Sequence, residues 1–118
     1  MQFDKMTMEL NNGRLRVRFV PEIGGSIITF AIRRGSHWVS LMRDGEEPLT
    51  KSSNSSSFVL IPYSNRVRDG RFTFSGKQYQ LRDGEKHAIH GDVRDRPWRL
   101  SQLQEDRVEL HFDSVAVS

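Results

Sequence analysis

The sequence predicts an all-β fold, because short apolar runs that alternate with polar residues are separated by glycine turns along the whole chain. Leu15, Val17 and Phe19 alternate with arginines, which is the pattern of a half-buried strand. No window has the periodicity of an amphipathic helix of normal length. An antiparallel sandwich or barrel is therefore expected, and residues 1–118 should form a single β domain.

The first predicted strands are arranged around glycine turns. Asn12-Gly13 is a strong hairpin signal, so residues 6–10 should pair with the strand that begins near Leu15. Residues 27–32 form a continuous apolar run, which is typical of a strand buried on both faces. Residues 38–42 predict another strand.

Later segments continue the same pattern. Phe72 and Phe74 should face Tyr79 and Leu81 across a short hairpin. Apolar residues alternate again from residue 108 to 112, and the valines at 115 and 117 resemble the start of a further strand. The serine-rich segment 51–57 is expected to be a flexible surface loop, with a mobile lip over a binding site as the alternative.

Composition and charge narrow the function classes. The chain carries 18 basic and 15 acidic residues, which are interspersed and leave a net charge of +3. Such a small, mixed charge argues against nucleic-acid binding, although the sequence pI of about 9.7 keeps a basic β domain as a remote alternative. The absence of cysteine excludes disulfides and thiolate metal sites. Without a signal peptide or a membrane-length apolar stretch, a cytoplasmic location is expected.

Asn65 and Arg66 follow residues 59–61, an apolar run that is predicted to be a buried strand. Polar side chains at the end of a rigid strand are held in fixed rotamers and can recognise a ligand with little entropy cost. Sugar hydroxyls both donate and accept hydrogen bonds, so such a pair suits a sugar. Spacing alone favours a structural role, with Asn65 capping a turn and Arg66 paired with Asp69 or another carboxylate.

His87 and His90 lie in a loop between glycines. The loop context and the lack of an obvious third ligand argue against a metal site. Alternation along an extended segment would turn the two imidazoles in opposite directions, so at most one is expected in a site. His90 is the better candidate, because Gly91 permits close approach of a ligand. Its imidazole can exchange a hydrogen bond with a sugar hydroxyl or ring oxygen near neutral pH.

Other polar and aromatic residues support weaker hypotheses. Trp98 is expected to pack in the core rather than against a sugar. No glycine-rich phosphate loop is present, and no cofactor is expected. Four acidic residues could by number supply the paired carboxylates of a glycosidase, but solvated ion pairs are the stronger interpretation. They are Asp83, Glu85, Asp92 and Asp95.

The order of these motifs resembles the N-terminal part of the aldose 1-epimerases, the galactose mutarotase-like enzymes. The resemblance extends from about Leu15 to Trp98. Its specific parts are residues 64–72, which read Ser-Asn-Arg-Val-Arg-Asp-Gly-Arg-Phe, and residues 87–91, which read His-Ala-Ile-His-Gly. Together, in this order and spacing, they form a strong match.

The resemblance implies an antiparallel β-sandwich of the mutarotase (supersandwich) type, of which this chain forms a part. It implies interconversion of the α and β anomers of aldohexoses, in which a carboxylate deprotonates the anomeric hydroxyl while an imidazolium protonates the ring oxygen. It assigns Arg66, with Asn65 beside it, to sugar binding. His90 would bind the sugar near the ring oxygen, as an auxiliary group. The ligand would be an aldohexose or a hexose phosphate.

The family's main acid histidine and base glutamate fall in later motifs, to which His111 and Glu109 do not correspond. The chain is therefore expected to carry the sugar-binding part and to be inactive alone. Three interpretations stay open: a fragment of an epimerase, a short protein that completes its sheet with a second copy, and a non-catalytic carbohydrate-binding domain. The first two predict dimerisation or strand exchange, since a severed sandwich exposes strand edges.

Overall fold

The computed structural model describes residues 7–81 and 87–114, and the regular structure in this part of the chain is almost entirely antiparallel β-strand. The all-β prediction is confirmed. A short 3-10 helix, Ser52–Asn54, lies between the fourth and fifth strands. In chain order the strands are β1 (Met8–Asn11), β2 (Leu15–Val20), β3 (Ser26–Arg34), β4 (His37–Ser40), β5 (Arg66–Arg68), β6 (Arg71–Phe74), β7 (Lys77–Gln80), β8 (His87–Ile89), β9 (Arg99–Leu103) and β10 (Val108–His111).

The first four strands form one antiparallel sheet in the order β1-β2-β3-β4. The predicted Asn12-Gly13 turn joins β1 to β2, and the Asn12 side-chain oxygen accepts the N–H of Leu15 at 2.7 Å. The register places Met8 opposite Phe19, and a bulge interrupts the β2–β3 pairing between Arg18 and Phe19. This hairpin arrangement confirms the pairing predicted from the turn signal.

Alternation along the strands gives this sheet two different faces. Arg18 pairs with Thr29, and Arg16 pairs with Ala31, so these residues lie on one largely polar face. The residues that lie between these positions along β2 and β3 point to the opposite, apolar face. The buried core cluster is small and consists of Val20, Ile23, Ile28 and Leu49. β3 was predicted to be buried on both faces, but only Ser26, Ile28 and Ala31 are fully buried along it.

The remaining strands form three two-stranded ribbons, β5–β8, β6–β7 and β9–β10. The β6–β7 ribbon is the predicted hairpin, and Phe72 stacks on Tyr79 at a ring-centroid distance of 5.2 Å. The predicted pairing of Phe74 with Leu81 is wrong: Phe74 lies opposite Lys77, because only Ser75 and Gly76 form the turn and β7 ends at Gln80. Its side chains are exposed, and Phe74 is 67% accessible. The described part of the chain therefore leaves considerable apolar surface uncovered.

The prediction for residues 59–61 is wrong, because they form no regular strand and all three side chains are exposed. Ile61 alone makes a bridge, a parallel one to Gly91, and no described element covers the other two. An apolar run shows only that burial would be favourable, and its burial requires a partner surface.

The serine-rich segment contributes buried residues. Ser52 and Ser55 are both buried, and the Ser55 hydroxyl donates to the Ser52 carbonyl at 2.6 Å. The Ser52 N–H donates to the Asp95 carboxylate at 2.7 Å. The flexibility expected for residues 51–57 stays a prediction.

Several predicted features lie outside the described residues. Met6 and the valines at 115 and 117 belong to this group, and so do two of the four acidic candidates, Asp83 and Glu85. Within residues 7–81 and 87–114, no helix has the length and apolarity that crossing a bilayer requires.

Truncating valines at two positions of the four-stranded sheet tests the location of the core. Val20 is 1% exposed and Val39 is 46% exposed. We expect Val20→Ala to lower the free energy of unfolding by about 2 kcal/mol, since two buried methyl groups and their packing are lost. Val39→Ala should cost less than about 0.5 kcal/mol. Urea denaturation at constant m-value measures both, and equal losses would show that the core is elsewhere.

Candidate functional site

The pairing of β5 with β8 brings the three predicted site residues to one end of a ribbon. Arg66 lies opposite Ile89 in the antiparallel register. The N–H of His90 donates to the Asn65 carbonyl at 3.2 Å. Two motifs that are more than twenty residues apart in sequence are thus neighbours, as a shared site requires.

The His90 imidazole is held in a defined orientation. Its Nδ1 lies 3.1 Å from the Ser64 carbonyl oxygen, and its ring makes an edge contact with Phe58 at a centroid distance of 5.8 Å and an interplanar angle of 67°. A carbonyl oxygen can only accept a hydrogen bond, so Nδ1 carries the proton in the neutral ring. The Nε2 lone pair is therefore left to accept from a ligand, and a protonated ring could donate there.

Asn65 and Arg66 have different surroundings. The Asn65 side-chain oxygen accepts the N–H of Arg66 at 2.8 Å, which is the local turn role that spacing alone had favoured. The Arg66 side chain is exposed. The other half of that expectation is wrong, because Arg66 makes no ion pair with Asp69 or with any other carboxylate among residues 7–81 and 87–114. The Arg66 guanidinium is therefore not paired with any carboxylate in the described part of the chain.

Gly91 makes a close backbone contact beside His90. It has φ +79°, and a Cβ atom at this position would lie 2.0 Å from the Ile61 carbonyl oxygen. The same oxygen accepts the Asp92 N–H at 2.8 Å. A side chain would have to displace the backbone here, so glycine is required for both its conformation and its size.

Hydrogen bonds made by the residues after Gly91 attach the site to the four-stranded sheet. The Trp98 N–H donates to the Pro21 carbonyl at 2.8 Å, and the Gly24 N–H donates to the Arg96 carbonyl at 2.8 Å. The Trp98 indole N–H donates to the Val93 carbonyl at 3.1 Å. Trp98 is half-buried and does not belong to the buried core cluster, so the prediction that it packs in the core is only partly met.

A mostly apolar cavity of about 440 Å³ lies next to this segment. Tyr63 and Asp92 provide polar groups in its wall, and burial raises the pKa of the Tyr63 hydroxyl, with a further contribution from the Asp92 charge. Tyr63 carries no motif of its own that would predict a place in a cavity wall, although it lies between Pro62 and the Asn-Arg pair. The cavity is lined by Ile61, Pro62, Tyr63, Leu81, Asp92, Val93, Trp98, Phe112 and Ser114.

The acidic residues that were considered as glycosidase carboxylates, where the structure describes them, bond to neighbouring groups of the protein. Asp92 pairs with Arg96 at 3.1 Å, and Asp95 receives the Ser52 N–H. Glu109 lies 2.8 Å from His111 in an exposed pair. The Asp92–Arg96 and Glu109–His111 contacts agree with solvated ion pairs, whereas Asp95 accepts a hydrogen bond from a backbone N–H.

The fold and the paired motifs define an epimerase-like β protein, and comparison with known proteins identifies the family. A sequence model of the aldose 1-epimerase family matches residues 6–116. The chain therefore belongs to the aldose 1-epimerase family. A crystal structure of an Escherichia coli K12 protein named "Putative aldose 1-epimerase" superposes with a TM-score of 0.71 and 28% sequence identity, over 89% of this chain and 35% of that one.

Two curated relatives from Escherichia coli strain K12 are similar in sequence. Uncharacterized protein YihR is 36% identical over 80 residues, which cover 65% of this chain and 25% of YihR. Uncharacterized protein YphB is 30% identical over 76 residues, which cover 62% of this chain and 26% of YphB. The matched regions thus correspond to about a quarter of the length of these relatives.

Two glycines with nearly the same φ test the Gly91 contact. Gly76 has φ +77° and open space within 4 Å of the position that a Cβ would occupy, whereas a Cβ at Gly91 would meet the Ile61 backbone. Gly76→Ala should cost about 1 kcal/mol through left-handed strain. Gly91→Ala should cost about 1–3 kcal/mol more, through the clash. Chemical denaturation measures the difference, and Asp92 amide exchange should accelerate only in Gly91→Ala. Equal costs would contradict the contact.

Proposed function

We propose that this chain forms the sugar-binding wall of an aldose 1-epimerase-type site and binds free aldohexoses. The observation that supports the proposal is the β5–β8 pairing, in which the backbones of Arg66 and His90 lie at one end of the same ribbon. Family membership supports the chemistry, because the relevant motifs lie within the matched residues 6–116.

The two side chains would recognise different features of the sugar. Arg66 offers several N–H donors in a planar fork, which suits neighbouring hydroxyl oxygens that act as acceptors. His90 offers one directed nitrogen, because its Nδ1 is engaged by Ser64. Neutral Nε2 accepts from a hydroxyl, and protonated Nε2 donates to a hydroxyl or to the ring oxygen. Together they would orient the ring without covalent chemistry.

Turnover would require groups besides these. Opening the ring needs a base at the anomeric hydroxyl and an acid at the ring oxygen, acting in concert. His90 could assist at the ring oxygen, but a guanidinium has only hydrogen-bond donors, so Arg66 cannot serve as the base. We propose that the base, and the main acid, come from sequence other than residues 1–118 or from another polypeptide. The chain alone would then be a carbohydrate-binding β domain.

Substitution of Arg66 tests the binding proposal. Arg66→Ala should weaken D-galactose or D-glucose binding by about tenfold, corresponding to one or two charge-assisted hydrogen bonds. Arg66→Lys should recover only part of the affinity, because the planar fork is lost. Arg14→Ala, which removes another exposed arginine, is the control and should have no effect. Titrations followed by backbone amide shifts measure all three, and an unchanged affinity for Arg66→Ala would contradict the proposal.

Polarimetry separates binding from catalysis. A fresh solution of α-D-glucose or α-D-galactose should equilibrate with the isolated chain present no faster than in buffer, because the proposal assigns the base at the anomeric hydroxyl to other sequence. Acceleration that disappears in His90→Gln would instead show that this chain carries out the whole reaction. Equilibration at the buffer rate, together with saturable sugar binding, is the result expected of a binding wall.

A further inference from the structure

A second concave surface lies on the polar face of the four-stranded sheet. It is a cleft of about 270 Å³ whose floor contains Ala31 and Thr29 of β3. Arg16 and Arg18 of β2 stand directly across from these two residues in the register, and Trp38 projects from β4 on the same face. Small side chains on the inner strand, flanked by large ones on its neighbours, produce the depression.

Trp38 provides an apolar plate in the wall of this cleft. The side chain is 36% exposed although it belongs to a strand. The Arg16 guanidinium carbon lies 6.0 Å from the ring centroid, which is the outer limit of a cation–π contact, so it does not seal the ring. The C–H groups on one face of a pyranose ring are apolar and pack well against such an aromatic surface.

The charges around the cleft neutralise one another. Both terminal nitrogens of Arg18 bond to the Glu47 carboxylate, and Arg16 Nε donates to Glu9 at 2.6 Å. The hydrogen bond between Arg18 and Glu47 lowers the pKa of the Glu47 carboxyl, so the pair stays charged at neutral pH. Two guanidinium groups and two carboxylates line the cleft, Arg16 and Arg18 against Asp44 and Glu47. No net positive charge is available for an anion.

This combination selects a class of ligand. The cleft has an exposed aromatic ring, hydrogen-bond donors and acceptors around it, and lining charges that cancel. These properties match a sugar ring that carries several neutral hydroxyl groups. Ser40 adds a hydroxyl, which lies 3.1 Å from both oxygens of Asp44. The cleft shares no lining residue with the cavity that Tyr63 and Asp92 line. We propose that the cleft is a second carbohydrate site that binds the pyranose ring of a neutral sugar against Trp38.

The two tryptophans of the chain make this proposal measurable. Methyl β-D-galactopyranoside is a suitable probe, because it is neutral and cannot change its anomeric form. Titration of the ¹⁵N-labelled chain should shift the Trp38 indole N–H and the Ala31 amide saturably. The amide of Ile23 in the buried core cluster serves as the folding control and should stay in place. The same shifts should persist in Arg66→Ala, since the cleft is independent of the site proposed above.

Variants of Trp38 identify the aromatic contact. Trp38→Ala should weaken the glycoside-induced shift of the Ala31 amide at least about tenfold, whereas Trp38→Phe, which keeps a ring, should stay within about threefold of the wild type. Inorganic phosphate should give no saturable shift at these positions. Saturation by phosphate, an unchanged affinity in Trp38→Ala, or glycoside shifts that occur only near His90 and vanish in Arg66→Ala would each overturn the proposal.

Discussion

The contact between the Gly91 backbone and the Ile61 carbonyl is the constraint on which the site depends. Ile61 leads into the Asn-Arg motif, and Gly91 follows the His90 that would share a ligand with it. Their approach is possible only because position 91 has no side chain. Between these two positions along the chain, the Ser64 carbonyl oxygen lies 3.1 Å from His90 Nδ1. The chain then continues through the bonds to Pro21 and Gly24 that attach this end of the ribbon to the larger sheet.

A constraint made of backbone contacts suits a binding wall. The Ser64 carbonyl determines which His90 nitrogen bears the proton, so the ligand-facing nitrogen is specified before a ligand arrives. Arg66 is held at its Cα by strand pairing while its guanidinium makes no described salt bridge. Preorganisation of this kind reduces the entropy lost on binding. Preorganisation orients a ligand but does not remove a proton from it, so the proposed function treats binding and turnover as separate properties.

Local features such as turns and hairpins could be predicted from the sequence. Which apolar surfaces would be covered by other elements could not. Alternation of Leu15, Val17 and Phe19 and the Asn12-Gly13 turn were sufficient for the first hairpin, because both are local signals. The same reasoning placed a buried strand at residues 59–61, where the described chain provides nothing to cover it. The Trp38 cleft could not be predicted, because it depends on which residues stand side by side across three strands, and the bulge near Phe19 shifts that register.

The protonation of the two His90 nitrogens, followed with and without sugar, tests the central claim most directly. Long-range ¹H–¹⁵N spectra of the imidazole distinguish a protonated from an unprotonated ring nitrogen. The bond to Ser64 predicts the Nδ1–H form for the neutral ring, and the binding wall predicts that saturating D-galactose shifts the Nε2 resonance while Nδ1 changes little. A ring that carries its proton on Nε2, or an Nε2 resonance unmoved by sugar that is bound elsewhere on the chain, would contradict it.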